Sequence, residues 1–509
     1  MYAQSPDWVN NFGKSDKYPE KLFLTGFGLS RVSNDINFSE CKQSADENAK
    51  SDLIQKIRVT IRSELTSKIQ ETENNLSEYF SSMTQSTSTI KIHGLNLTHY
   101  LDRKNNECFA LASLNREKLA STYADKASDL RKEISNNLEI AERYEDVEDR
   151  TKALKKYFAC FSLFRQLEES QSIIVAARSR IVSAFDELDR EINSDILSIA
   201  KVNTRVHKLI QKSIESPDDL AWFLVYTMNQ QLNKQKKRLL VIPFSYHDTK
   251  MGSPFSRYFK ELLDSKVIEI TNWNVVQQAT NVTPKYRDVS REFAIASGAA
   301  LVLTGTYWER ANSVKFLATL RRVSDSKIMA SAEALISFKA LKTAKLDIKP
   351  QNFTDALSDQ KIFNKDEVIG GGLNLEVWTN KGIDNVLYIE GEHMKAYVRV
   401  NMPSYIRFIY HLADGERTLL LDNYYIDESK VNMVYQIPEE FVCAAPFGAE
   451  FLQAFARTQP FESLQTTEVD GYEFIDEDLN EFIPRMRGFK KLNKEVQQTE
   501  SMIVITTIE

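Results

Sequence analysis

From about Asn115 to Lys236 the chain is almost wholly charged and helix-favouring, and this run separates two stretches of strand-like sequence. Apolar residues recur in it at helical intervals, as at Ile174, Ala177, Ile181, Ala184, Phe185 and Leu188. Such spacing lays an apolar stripe along a helix. The run predicts an elongated helical hairpin or spacer, broken near Ser216-Pro217, where proline cannot continue a helix. Its heptads allow coiled-coil pairing but are too irregular to require it. At 509 residues the chain exceeds what one hydrophobic core supports, and domains of about 100–200 residues imply roughly three or four folded units.

Before the helical run lies Pro6-Asp7-Trp8-Val9, then a strand-like Leu22-Phe23-Leu24-Thr25-Gly26-Phe27-Gly28. A long helix follows, with Ala45, Ala49, Leu53, Ile57, Ile61, Leu65 and Ile69 on one face. Ser81 to Thr89 reads as a loop; Ile90, Ile92, Leu95 and Leu97 suggest a strand, and Glu107 to Leu114 its partner. After the run, Leu239 to Phe244 reads as a buried strand, followed by a helix (Phe255 to Leu263), a strand near Val267 to Ile270 and a helix (Val289 to Ser297). Leu301 to Trp308, Val314 to Leu320 and Ile328 to Ile336 have strand composition. Polar sequence from about Leu341 to Val368, closed by Gly370-Gly371-Gly372, reads as a linker. The remainder is strand-rich: Leu375 to Trp378, Lys395 to Val400, Ile406 to His411, Leu419 to Leu421 and Val431 to Gln436. A helix near Asp476 to Arg487 and a strand from Met502 to Ile508 end it. The expected architecture is α+β multidomain: a small α+β domain (1–118), a helical spacer (119–236), an α/β sandwich domain (237–345), a linker (346–372) and a C-terminal β-sandwich (373–509).

Hydrophobic residues at 42% and charged residues at 27% argue against wholesale disorder. A net charge of -6 gives no electrostatic reason to expect nucleic acid. No run of about 18 apolar residues is present, so no transmembrane segment is expected. Met1-Tyr2-Ala3 before Gln4-Ser5-Pro6 resembles the small-residue end of a truncated secretory signal, which implies export. Cys41, Cys108, Cys160 and Cys443 are scattered without a C-x-x-C pair, so neither zinc nor a disulfide framework is expected. Cys160, in an apolar run, reads as core packing.

Three regions resemble known families. Pro6-Asp7-Trp8, Thr25-Gly26-Phe27-Gly28, the alanine-bearing helix from Ala45 and Cys108 to Arg116 resemble the Lpp-twenty type of outer-membrane lipoprotein, a fold shared with the flagellar assembly protein T. The chain lacks that family's lipid-bearing cysteine. Val241-Ile242-Pro243-Phe244 and Leu303-Thr304-Gly305-Thr306-Tyr307 resemble the domain shared by the periplasmic protein TolB, the curli secretion protein and the flagellar outer-membrane protein O. That resemblance implies protein contacts in the periplasm. Tyr388-Ile389-Glu390-Gly391-Glu392, Tyr405 to Tyr410, Asp414-Gly415, Leu419 to Asn423, Pro446-Phe447-Gly448-Ala449-Glu450 and Arg457 to Phe461 are similar to the domain-of-unknown-function (DUF) 4384 family. No catalytic residue comes with it.

Linear motifs for chemistry are absent. Gly26-Phe27-Gly28 lacks the third glycine of a dinucleotide loop and reads as a strand-end turn, while Gly370 to Gly372 has no phosphate-loop ending and reads as a hinge. No two of His93, His99, His207, His247, His393 and His411 stand four apart as in a zinc-protease helix, although His93 and His99 could approach each other. No Gly-x-Ser-x-Gly elbow occurs. Glu145 to Asp149 and Asp476 to Asp478 lack the spaced ligands of a calcium loop and read as solvated faces. Tyr405, Phe408, Tyr410, Tyr424 and Tyr425 are the candidate ligand-binding residues, as an aromatic surface for glycan or peptide, with strand alternation turning some inward. The expected function is a non-enzymatic bacterial cell-envelope scaffold without cofactor or metal, periplasmic or outer-membrane-associated. Its expected partners are envelope or outer-membrane proteins or peptidoglycan-associated machinery. The alternative is a hydrolase or enzyme regulator whose site is assembled from separated residues.

Overall fold

A computed structural model describes residues 5–32, 37–71, 79–80, 83–84, 95–179, 184–210, 213–232, 236–284, 288–365, 372–438, 441–469, 471–487 and 496–509. The expectations placed on Met1 to Gln4, Ile90, Ile92, His93, Ile181, Gly370 and Gly371 lie outside the described residues. The fold is mixed α+β, as expected, with a sheet-rich C-terminal region.

The first unit comprises α1 (Asp7–Asn10), β1 (Phe23–Arg31), α2 (Phe38–Glu71), β2 (Asn96–Asp102) and β3 (Glu107–Asn115), with an antiparallel sheet in the order β1-β3-β2. The predicted stripe of α2 is buried: Ala45, Ala49 and Leu53 lie against β1, and Ile57, Ile61 and Leu65 continue into the same core. Gly26 and Gly28 lie inside β1, not at a strand-end turn, and the reason is the closeness of α2. A Cβ on Gly28 would stand 2.0 Å from the Ala45 carbonyl oxygen, and one on Gly26 2.2 Å from that of Ala49. Gly28→Ala therefore forces strand and helix apart, with an expected loss of about 2–3 kcal/mol, the upper range for overpacking. A urea midpoint shift checks it; an unmoved midpoint would mean the backbone contact relaxes freely. Cys41 on α2 is disulfide-bonded to Cys108 on β3, with Cα atoms 5.9 Å apart. This corrects the expectation of no disulfide: spacing along the chain cannot show that a helix N-terminus folds back over a strand 67 residues later.

Next come α3 (Arg116–Asp146), α4 (Arg150–Arg178), α5 (Ala184–Leu209) and α6 (Pro217–Gln231). Asn115 caps α3 by accepting the Lys118 N–H at 2.9 Å. These helices do not stand apart as a spacer. Tyr157, Phe158, Phe161, Phe164, Leu167, Ile173 and Val175 of α4 are buried on several helix faces. A helix apolar all round is a core helix, and α4 packs against α2, α3, α5 and α6.

The third unit has β4 (Arg238–Val241), β5 (Ser245–Tyr246), α7 (Pro254–Ile270), β6 (Asn274–Val276), α8 (Val289–Ala296), β7 (Leu301–Glu309), β8 (Ser313–Arg322), β9 (Ile328–Ser337) and the single turn α9 (Phe338–Leu341). Its sheet runs β6-β4-β7-β8-β9, with β5 on β7; β6, β4 and β7 are parallel, and β7, β8 and β9 antiparallel. Val267 to Ile270 is the last turn of α7, not a strand, because Val267 continues the stripe Phe255, Phe259, Leu263 at helical spacing. The helical layer carries over: α4 and α6 both pack against β9. The expected linker holds α10 (Phe353–Asn364), whose Ala356 and Phe363 are buried. Asn352, just before it, donates to the Ala413 and Ala449 carbonyls at 2.8 and 2.9 Å, so the segment is docked.

The last unit contains β10 (Leu375–Thr379), β11 (Val386–Ile389), β12 (His393–Met394), β13 (Ala396–Val400), β14 (Ser404–His411), β15 (Arg417–Ile426), β16 (Tyr435–Gln436), β17 (Phe441–Val442), β18 (Ala449–Arg457), β19 (Thr466–Val469), β20 (Tyr472–Ile475), α11 (Leu479–Arg487) and β21 (Gln498–Ile508). A seven-stranded sheet, β11-β21-β18-β14-β15-β20-β19, faces a three-stranded one, β10-β13-β16. Val377 and Val398 from the small sheet meet Phe408, Leu452, Ala454 and Ile505 from the large one. The sandwich is tied to the third unit by Gly252 N–H on Thr506 Oγ1 (2.8 Å) and by Arg399, which pairs with Glu376 and donates to the Pro284 carbonyl (2.9 Å). It meets the first unit where Arg31 pairs with Glu428.

Candidate functional site

A cleft with polar and apolar walls lies where α5, the start of α6 and β9 converge. Ser216 caps α6, accepting the Asp219 N–H at 3.2 Å, with Pro217 in the first turn. That fixes Phe223 about two turns on, and the His207 ring of α5 stacks on it, centroids 6.5 Å apart and planes 5° from parallel. His207, Ile210, Ser213, Ile214, Phe223 and Leu335 enclose about 290 Å³. A smaller recess of about 30 Å³ continues past His207 and Leu335 to Asn203, Arg310, Lys315 and Glu333.

Glu333 is the charged floor. It is 3% exposed, with Lys315 Nζ at 3.3 Å, Arg165 Nη2 at 3.8 Å and the Asn203 amide bonded to it. Burial raises its pKa, but Lys315 and Arg165 outweigh burial and hold the carboxyl below its ordinary value. Burial lowers the His207 pKa against the pull of Glu333, so the imidazole is neutral at neutral pH. The cleft thus offers an apolar wall and a neutral ring above an anchored ion pair. It suits an apolar group with one or two polar contacts. Behind it, Arg165 pairs with Glu168 at 2.5 Å, and Arg131, Asp195, Gln171 and Tyr79 form a further buried chain of hydrogen bonds.

The five candidate aromatics do not form one surface. Phe408 is fully buried in the sandwich, and Tyr410 and Tyr424 pack against the same core. Tyr405 and Tyr425 are brought together, centroids 4.7 Å apart, with Tyr425 47% exposed. Alternation along β14 and β15 separates the two groups. Of the histidines, His99 bonds Asp46 and His247 bonds Asp248, each at 2.5 Å, while buried His411 bonds Gln453 at 3.1 Å. In the acidic runs, Glu145 accepts from Tyr157 and Asp149 caps α4. Among the described residues no group of three or more His, Cys, Asp or Glu is placed to hold a metal ion, and no helix is long and apolar enough to cross a membrane.

A second cluster brings several motif residues of the last unit together. Glu450 at the start of β18 is 3% exposed, and its Oε2 accepts the Tyr410 hydroxyl at 2.7 Å. Burial pushes its carboxyl up to about 7. Burial likewise raises the Cys443 thiol to about 11, with Glu450 and Glu392 adding to it. Tyr388 bonds Asn380 at 2.5 Å, and Lys381 pairs with Glu392. Sequence reasoning missed His207, Glu333 and Glu450 as site residues. Only Glu450 carried a signal, as the end of Pro446-Phe447-Gly448-Ala449-Glu450.

Tyr388, Glu392, Tyr410, Cys443 and Glu450 of this cluster fall within the segment recognised by the sequence model of a domain of unknown function (DUF4384), which matches residues 387–460, while Asn380 and Lys381 lie just before it. No curated protein matches the chain. Among solved structures, the LpoB C-terminal domain from Escherichia coli is similar at 16% identity, over 24% of this chain and 97% of that one, with a TM-score of 0.20. The PelC dodecamer from Paraburkholderia phytofirmans is similar at 18% identity, over 21% and 74%, with a TM-score of 0.16. TM-scores of this size do not establish a shared overall fold.

Proposed function

We propose that the protein is an exported, non-enzymatic scaffold or adaptor of the bacterial cell envelope, working in the periplasm or against the outer membrane. The Cys41–Cys108 disulfide carries the reading. Structural disulfides persist in oxidising compartments and are rare in a reducing cytosol. The resemblances of residues 1–118 to Lpp-twenty-type lipoproteins and of 237–345 to the TolB and curli-secretion domain belong to the same proposal. Its units meet through buried contacts such as that of Arg399, held by Glu376, with the Pro284 carbonyl, which supports a role in holding partners at set positions. Partners are envelope or outer-membrane proteins, with peptidoglycan-associated machinery as the wider setting.

The cleft at His207 favours binding over acid–base work. A general acid or base is most effective with a pKa near the working pH, and Glu333 is held ionised by two cations. The test is to express the full-length native gene, fractionate the cells and identify crosslinked neighbours by mass spectrometry. Recovery in the periplasmic or outer-membrane fraction with one dominant envelope partner is the expected result. A cytoplasmic protein without stable neighbours, its Cys41 and Cys108 open to thiol labelling, would overturn export and scaffolding together.

A further inference from the structure

Glu450 is a buried carboxyl whose surroundings offer it hydroxyl and backbone donors but acidic charges. Tyr410 on β14 donates to it, and Asp414 in the turn after β14 acts against its ionisation. Tyr388 on β11 faces Tyr410, and Cys443, just past β17, faces both Tyr410 and Glu450. One cation of the neighbourhood, Lys381, is engaged by Glu392 and the Leu387 carbonyl, and another, Arg417, acts on His411. His411, next along β14, is bonded to Gln453 and held neutral by burial, its pKa lowered to about 3. An ionised carboxylate so enclosed is costly unless water reaches it.

What lies over Tyr410 is thin. The Phe441 ring of β17 stacks parallel to Tyr410, centroids 6.5 Å apart. β17 is two residues long and pairs with β12, also two residues, through His393↔Val442 and Met394↔Phe441. The ribbon is closed by the Gly391 N–H on the Cys443 carbonyl (2.8 Å) and the Cys443 N–H on the Glu392 carbonyl (2.9 Å). Val442 is 54% exposed, and Gly391 turns the chain at φ +80° with open space around it. A short, half-exposed ladder beside a glycine turn belongs to the least stable class of substructure.

We propose that the β12–β17 ribbon is a proton-gated lid: it closes over Tyr410 while Glu450 is protonated, and loss of that proton favours an open form in which the carboxylate meets water. The lid belongs to the sandwich alone and does not depend on the adaptor reading. In the closed form the carboxyl titrates at about 7, against 4.5 for the free group. The closed state therefore retains a proton that the open state has released, and closure weakens as pH rises between those values. Opening increases up to about tenfold per pH unit from about pH 5 to 7 and levels off above.

Hydrogen exchange on the full chain tests this at the Gly391 and Cys443 amides, after correction for the intrinsic rate. Protection is expected to fall by up to about 100-fold between about pH 5 and 7, and to become independent of pH in Glu450→Gln. Flat protection in the unmodified protein, or an unchanged slope in Glu450→Gln, would overturn the lid. Should Glu450→Gln fail to fold, Tyr410→Phe decides. Removing a donor that favours the carboxylate raises the upper limit of the fall, so that protection goes on falling to higher pH, and an unchanged upper limit overturns the proposal.

Discussion

Replacing Cys41 and Cys108 together by alanine is expected to cost about 4 kcal/mol, the value the loop-closure relation gives for a loop of this size. The pair stands 67 residues apart, and cutting the bridge restores that freedom to the unfolded first unit. In the folded state the same bridge fixes the start of α2 beside β3, where Ala45 and Ala49 must lie against Gly26 and Gly28. The chain has several units, so a single global transition is not assumed. The readout is limited proteolysis of the first unit across a urea series, in the unmodified protein with and without reductant and in the double variant. Both reduction and substitution should bring cleavage within residues 5–115 to lower urea. If neither moves it, the two thiols are not bridged in the protein, and the argument for an oxidising compartment falls with them.

The sequence made repetitive features legible and left coincidences of the chain hidden. The α2 stripe from Ala45 to Leu65 and the strands read at Leu375 to Trp378, Ile406 to His411 and Met502 to Ile508 follow from local period and composition, and the structure extends these strands to Leu375–Thr379, Ser404–His411 and Gln498–Ile508. α4 was read as part of a spacer because charged residues punctuate it; the structure shows Arg165 and Glu168 paired inside the core. β18, the strand between β14 and β21, was read as motif rather than strand. Both its faces are buried, so Ala449–Arg457 lacks the alternation that marks a half-exposed strand. The cleft could not be read at all: His207, Phe223 and Leu335 come from three elements and share no pattern along the chain. The aromatic candidates divide as strand alternation requires, with Phe408, Tyr410 and Tyr424 turned to the core and Tyr405 beside Tyr425.

Trp378→Ala is expected to cost about 4 kcal/mol, within the range for deleting a buried tryptophan, and to loosen the sandwich from the third unit. Trp378 has no exposed surface; it stacks on Tyr397 with centroids 5.8 Å apart, lies under the Arg399 guanidinium at 5.8 Å and packs with Val289 and Phe293 of α8. Its indole N–H has no hydrogen-bond partner among the described residues. The side chain therefore acts through volume and ring contact, and Trp378→Phe should cost only about 1–2 kcal/mol, because it leaves a smaller cavity and removes an unsatisfied donor. Phe293→Ala, across the same junction, should combine non-additively with Trp378→Ala, since both empty one contact. Chemical denaturation of the two single variants, the double variant and Trp378→Phe measures all of this. If Phe proves as costly as Ala, the indole nitrogen matters and the packing account is wrong. If Trp378→Ala and Phe293→Ala add without coupling, the two rings do not share a load, and the sandwich is held to the third unit mainly by the polar contacts of Arg399, Gly252 and Asn385.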